Sequence, residues 1–306
     1  VDSITTGDYN VGVGDNALSA TTSGHRNSAF GYQAMVDNTT GYYNSAIGYQ
    51  SLANNITGIE NTAVGWSSLL TNVSGGNNTA VGSVALYSNT GSSNTAIGMR
   101  CMADNTTGNN NTSVGSYALN KNTTGANNTA TGFRALYNNT TASYNTATGY
   151  YALNQNTTGT QNTATGYYSL YSNTTGTQNV ALGKDSMKAT TTGSYNTATG
   201  MEVMFTNTTG EGNTAYSRRA LYSNTTGSRN VALGYSSLYN NTTAYENTAV
   251  GYHSLYSNTT GNKNTALGMY AGDNITTGSS NIIIGAEVNA PSATASNQLN
   301  IGNWIT

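Results

Sequence analysis

Few side chains in this 306-residue chain have the types or spacing that chemistry needs. It has two His, one Cys and twelve acidic residues. A metal site needs several ligands converging on one point. His25 and His253 lie far apart and fall at different positions of the repeat described below. The acidic residues, among them Asp37, Asp104, Glu211, Glu246 and Glu287, are scattered, whereas glycoside hydrolysis needs two carboxylates facing each other across a cleft. Asp185 and Glu202 come closest to a pair. They hold the same position in adjacent repeats, so stacking would bring them within about 5 Å, close enough to share a cation. The same position is filled elsewhere by Arg134, Tyr151, Tyr168 and Arg219, the pattern of a solvated site. There is no Gly-rich phosphate loop, no Ser-His-Asp set and no G-G-x-G-x-D calcium repeat. Cys101 stands where other repeats carry Ala or Ser, and a lone Cys forms no intrachain disulfide. These residues predict no catalytic group, no cofactor and no metal.

The elements that position them are copies of one unit. Asn recurs at residues 10, 27, 44, 61 and 78, then at 94, 111, 128, 145, 162, 179, 196, 213, 230, 247, 264 and 281. Every step is seventeen residues except the step from Asn78 to Asn94, which is sixteen; the shortening falls in the turn Asn89-Thr90-Gly91, where a deletion is expected to cost least. The fullest form is N-T-A-x-G-Y-x-A/S-L-Y-x-N-T-T-G-x-x, as in Asn162 to Gln178. Position 1 is the recurring Asn, position 3 is nearly always Ala, position 5 is Gly in all but one unit (Ser217), and position 9 is Leu or Met until the last two units.

A strict period of this length marks stacked repeats. Gly and Asn-Thr-Thr are poor helix formers, and helical-hairpin repeats need about 33 residues. The unit instead predicts two short strands, N-T-A-x-G and Y-x-A-L-Y, joined by tight turns of Asn and Gly. The expected fold is all-β: a parallel β-solenoid (β-roll) of about 17 coils, roughly 80 Å long at one strand spacing per coil. A lead-in segment covers 1–9, the repeats 10–285, and an exit segment with an atypical last coil 286–306. Stacked Asn residues can form amide ladders. That role is assigned at position 1 to Asn27, Asn44, Asn61, Asn78, Asn111, Asn128, Asn145 and Asn162, and at position 12 to Asn38, Asn55, Asn105 and Asn122. The one-layer core is assigned to Leu18, Met35, Leu52, Leu69, Leu86, Met102, Leu136, Leu153 and Leu170, with Ala beside them.

Composition agrees with an ordered repeat. Charged residues are 7% of the chain, against about 25% in ordinary domains, yet 23 Tyr and a net charge of −2 are unlike a disordered tract. No basic stripe predicts a nucleic-acid partner, and no apolar run is long enough to span a membrane. No signal peptide is seen and the chain starts at Val1, which fits a processed or excised segment. Residues 3 and 4 of the unit point to opposite faces of their strand. If Ala faces inward, position 4 lays an apolar stripe along the outside: Phe30, Ile47, Val64, Val81, Ile97 and Val114, then Thr131, Thr148, Thr165 and Thr199, then Leu233, Val250, Leu267 and Ile284. Such a stripe asks for partner copies of the chain. The opposite orientation, with position 4 inside, fits the pattern equally. Tyr at positions 6 and 10 predicts cross-coil ring stacking, or a surface for glycans and cell envelopes. The N-T-T triplets match the N-glycosylation acceptor pattern.

The motifs N-T-A-V-G-x-x-x-L and Y-S-N-T-T-G resemble repeats of bacteriophage tail-fibre and bacterial surface-fibre proteins. N-T-A-I-G is also similar to the head repeat of trimeric autotransporter adhesins, a left-handed parallel β-roll. The resemblance runs from Asn10 to about Gly302, although the autotransporter unit is shorter than this one. The stretch Ala290 to Gly302 is similar to the segment that precedes a self-cleaving chaperone domain in such fibres; no such domain follows here, as expected of a fragment or of a chain whose chaperone has been removed. The resemblance implies a homotrimeric extracellular or virion-borne fibre shaft without catalysis, whose partners are its own copies and a cell-surface glycan or envelope receptor. Two other functions fit the pattern. An ice-binding solenoid would use the arrays Thr129-Ala-Thr131, Thr146-Ala-Thr148 and Thr163-Ala-Thr165. A polysaccharide-degrading tailspike would need a carboxylate cleft that the sequence does not supply.

Overall fold

A computed structural model describes residues 6–302. The chain falls into two compact units, Val1–Thr158 and Gly159–Thr306. Among the described residues all regular structure is β. The first unit holds β1 (Val11–Val13), β2 (Ser28–Phe30), β3 (Ser45–Ile47), β4 (Thr62–Val64), β5 (Thr79–Val81), β6 (Thr95–Ile97), β7 (Thr112–Val114), β8 (Thr129–Thr131) and β9 (Thr146–Thr148). The second holds β10 (Thr163–Thr165), β11 (Val180–Leu182), β12 (Thr197–Thr199), β13 (Thr214–Tyr216), β14 (Val231–Leu233), β15 (Thr248–Val250), β16 (Thr265–Leu267), β17 (Ile282–Ile284) and β18 (Leu299–Ile301).

Within each unit successive strands pair in parallel with equivalent residues opposite each other, Ala63 on Ala80 and Val64 on Val81 for example. The short coil keeps this register, Ala80 lying on Ala96. Each unit is thus a parallel β-solenoid with a seventeen-residue coil. Stacking runs past residue 285, because β18 pairs with β17 and Gln298 takes position 1, its backbone N–H donating to Asn281 Oδ1 at 2.8 Å. Residues 6–9 already follow the register, Thr6 N–H donating to Thr22 O.

There is one strand per coil, not the expected two. The segment after Gly at position 5 curls instead of extending. Gly31 has φ 139°, Gln33 52° and Met35 50°, and the pattern recurs along the chain. Alternating left-handed residues cannot continue a strand. They make a tight turn closed by a bond from the position-8 N–H to the position-5 carbonyl (Ala34 to Gly31, 3.3 Å). The side-chain types gave no warning, since Gln, Leu, Met and Arg ordinarily avoid positive φ. The coils still bond to one another through these turns, as Leu52 N–H to Ser68 O at 2.9 Å and Asn54 N–H to Leu70 O at 3.0 Å show. Neighbour bonding nearly all the way round holds the strained residues in place.

The orientation left open by the sequence is settled by exposure. Ala29, Ala46, Ala63, Ala80 and Ala96 are fully buried, while Phe30, Ile47 and Ile97 are 41–49% exposed. Position 3 faces in and position 4 faces out. The expected core residues, Leu18, Met35, Leu52, Leu69, Leu86 and Met102 with Leu136, Leu153 and Leu170, are all fully buried. Burying each contributes roughly 1.5–3 kcal/mol, which exceeds the ~1–2 kcal/mol that its left-handed backbone costs.

Candidate functional site

The other half of each coil's interior is polar. Asn27 Nδ2 donates to Asn10 Oδ1 at 3.1 Å and to Gly41 O at 2.8 Å, while Asn27 N–H donates to the same Oδ1 at 3.0 Å. Asn44, Asn61, Asn78, Asn111, Asn128 and Asn145 repeat the contact with the preceding Asn, and Asn162 donates to Gly176 O. Position 12 forms a second ladder, in which Asn55 donates to Asn38 at 2.8 Å and Asn122 to Asn105 at 2.6 Å. The two ladders meet on one carbonyl: Gly58 O accepts from Asn44 at 2.8 Å and Asn55 at 3.0 Å. These Asn side chains are buried, and a buried amide needs its partners. The arrangement leaves N-T-T amides such as Asn105 and Asn122 with both protons engaged, so a glycan, which replaces one of those protons, would break one of the two bonds.

The position-12 ladder has breaks. Thr21 replaces Asn, and its buried hydroxyl has no partner among the described residues. At the short coil, Asn72 Oδ1 is buried without a donor, because Asn89 turns to Gly91 O and accepts from Asn94. The deletion was expected to cost little in a turn; it costs one rung, because that turn's Asn is an inside residue.

The titratable residues do not converge. Asp185 pairs with Lys188 at 3.0 Å, and Glu202 with Arg219 at 2.7 Å. Each carboxylate has its own cation, so the proposed shared cation site has no geometry to support it. The bond to Glu202 holds the Arg219 guanidinium above its usual pKa. Among the described residues no three His, Cys, Asp or Glu side chains cluster for a metal. Cys101 is buried with its thiol 2.9 Å from Ser113 Oγ, and burial pushes its pKa up to about 11, which makes it a packing residue and not a nucleophile. His25 stacks on Tyr42 at 4.9 Å. His253 lies between Tyr252 at 4.2 Å and Tyr256 at 4.5 Å; desolvation there lowers its pKa, with Asp273 opposing.

The outer surface carries the remaining organisation. Position 4 forms the exposed stripe. Rings stack along position 6, as Tyr32 on Tyr49 at 5.2 Å and Tyr235 on Tyr252 at 5.3 Å. Along position 10, Phe205, Tyr222, Tyr239 and Tyr256 stack at 5.0–5.3 Å. Stacked rings cover one another's faces and present edges and hydroxyls outward. The chain matches no family model, and no curated protein is significantly similar to it.

Proposed function

We propose that the chain is a non-catalytic, adhesive spacer segment of an extracellular fibre that assembles from copies of itself. The observation that carries this reading is the position-4 stripe. Six consecutive coils, from Phe30 to Val114, hold an apolar side chain outward on one parallel sheet, while the interior satisfies nearly all of its own amides. Exposed contiguous apolar surface of this kind marks an interaction face. In-register repetition makes the face self-complementary in spacing, which suits a second copy better than an unrelated protein. Three copies and a left-handed roll follow from the resemblance to fibre repeats, as does an extracellular or virion-borne location. Light scattering of the purified chain tests the reading. A mass of three protomers is expected, and a stable monomer at micromolar concentration would overturn it.

One observation favours a second reading, ice binding. Thr129, Thr131, Thr146 and Thr148 are all exposed on one face of β8 and β9 in parallel register, a flat array of hydroxyl and methyl groups. Thermal hysteresis, absent in a nanolitre osmometer, would remove it.

A further inference from the structure

The aromatic positions are interrupted in several places, and at one of them a groove opens. Trp66 holds position 6 of its coil, but the next coil has Ser83 at that position. Tyr87 holds position 10, but the next coil has Ala103. Elsewhere a ring often follows a ring and covers its face. Here no ring stacks on Trp66 or Tyr87 among the described residues, and Trp66 is 54% exposed. Together with Arg100 and Asp104 from the following coil they line a groove of about 360 Å³, the size of a site for one small ligand.

Three further observations set this groove apart. Neither Arg100 nor Asp104 has an ion-pair partner among the described residues, unlike Asp185 and Glu202. The central coil is the sixteen-residue one. The floor includes Val84 at φ 61°, the one β-branched side chain with positive φ among the described residues, and strain of that kind collects at binding sites.

The geometry points to a carbohydrate-binding subsite, with a hexopyranose seated against the open face of Trp66. A pyranose has an apolar face of C–H groups, which packs on an uncovered indole, and a rim of hydroxyls, which needs both donors and acceptors. Arg100 supplies only donors and Asp104 only acceptors, and together they are neutral, so the lining suits a neutral sugar or a single uronate. A cationic peptide would meet Arg100 and a polyanion would meet Asp104. The subsite gives the adhesive reading a ligand class and rests on that reading for it. The groove is lined by positions 6 to 11 of its coils and by no residue of the position-4 stripe.

Affinity electrophoresis in gels cast with a neutral β-glucan, a neutral galactan or a neutral mannan tests the proposal. At least one polysaccharide is expected to retard the wild-type chain. Trp66→Ala and Asp104→Asn should weaken that retardation at least tenfold, while Tyr32→Ala, in the same column but outside the groove, should leave it unchanged. If Trp66→Ala fails to fold, Asp104→Asn and Arg100→Gln decide the matter, since both side chains are exposed and unpaired. No retardation by any of the three polymers, or retardation that survives in Asp104→Asn, overturns the subsite. Light scattering on the same samples reports self-association separately, so the loss of one reading is distinguishable from the loss of the other.

Discussion

Ser217 is the exception at position 5, and it shows what that position demands. Its φ is 94°, whereas the Gly residues there from Gly14 to Gly285 lie between 126° and 141°. That region belongs to Gly, and holding another residue near it costs about 1 kcal/mol or more. Ser217→Gly is therefore expected to stabilise the second unit by about 1 kcal/mol in chemical denaturation. Cys101 gives a second prediction. An unfolded thiol loses its proton above about pH 8.5, but in the folded chain it keeps the proton until about pH 11. Its contribution to stability is whole below the unfolded value and is lost as pH rises towards the folded one. Tyr ionisation overlaps this range, so the measurement is the difference between wild type and Cys101→Ala. The two denaturation midpoints should converge as pH rises from 8.5 to 11. A gap that stays constant with pH would show that burial does not hold the proton. A thiol reagent at pH 8 should label Cys101 only after unfolding.

At the scale of the element, the coil is held by amides as much as by apolar packing. Asn122 Nδ2 donates to Asn105 and Gly125, and its Oδ1 accepts from Asn139. Asn122→Ala leaves Asn105 Oδ1 without a donor and one Asn139 N–H without an acceptor, while Gly125 O still accepts from Asn111; it should cost the first unit about 2 kcal/mol or more, because each orphaned group carries its own desolvation penalty. The converse applies at Thr21, whose hydroxyl is buried without a partner. Thr21→Asn extends the ladder by one rung from Asn38 and should stabilise by about 1 kcal/mol; a loss of stability in urea titration would mean that the first coil lacks room for the amide. The sequence carried the Asn and Leu columns plainly, because a stacked repeat writes each inside position as a column of one residue type. It did not carry the turn at positions 5 to 9. Leu, Gln and Arg have no side-chain mark for positive φ, and only bonding from neighbouring coils forces it on them. The groove was partly visible as Ser83 and Ala103 interrupting aromatic columns. Its meaning was not, because stacking had to be seen elsewhere before an uncovered ring stood out. Asp185 and Glu202 shared a column as expected, but Glu202 pairs with Arg219, the next residue of that column, and Asp185 with Lys188 beside it in its own coil; the column pattern carried the first partner and said little about the second.

At the scale of the whole molecule, the position-4 stripe carries the most consequence. Phe30, Ile47, Ile97 and Val114 are 37–49% exposed, and Val64 and Val81 are half-buried. Covering what remains of each is worth on the order of 1 kcal/mol, so these six supply about 6 kcal/mol per copy. Association costs roughly 4–15 kcal/mol, which puts this stretch near break-even and makes the outcome sensitive to single residues. Unit two adds Leu182, Leu233, Val250 and Leu267 at the same position. A charge on the stripe must be desolvated when copies meet, and like charges in symmetry-related copies repel. Val81→Lys with Ile97→Lys is therefore expected to give a folded monomer, with an unchanged far-ultraviolet spectrum and a mass of one protomer in light scattering. Lys at Thr106 and Thr123, exposed or half-buried in the N-T-T turn, adds the same charge away from the stripe and should leave the assembly intact. If the turn variants dissociate as readily as the stripe variants, net charge controls association and the stripe does not. If neither pair dissociates, the copies meet through another face.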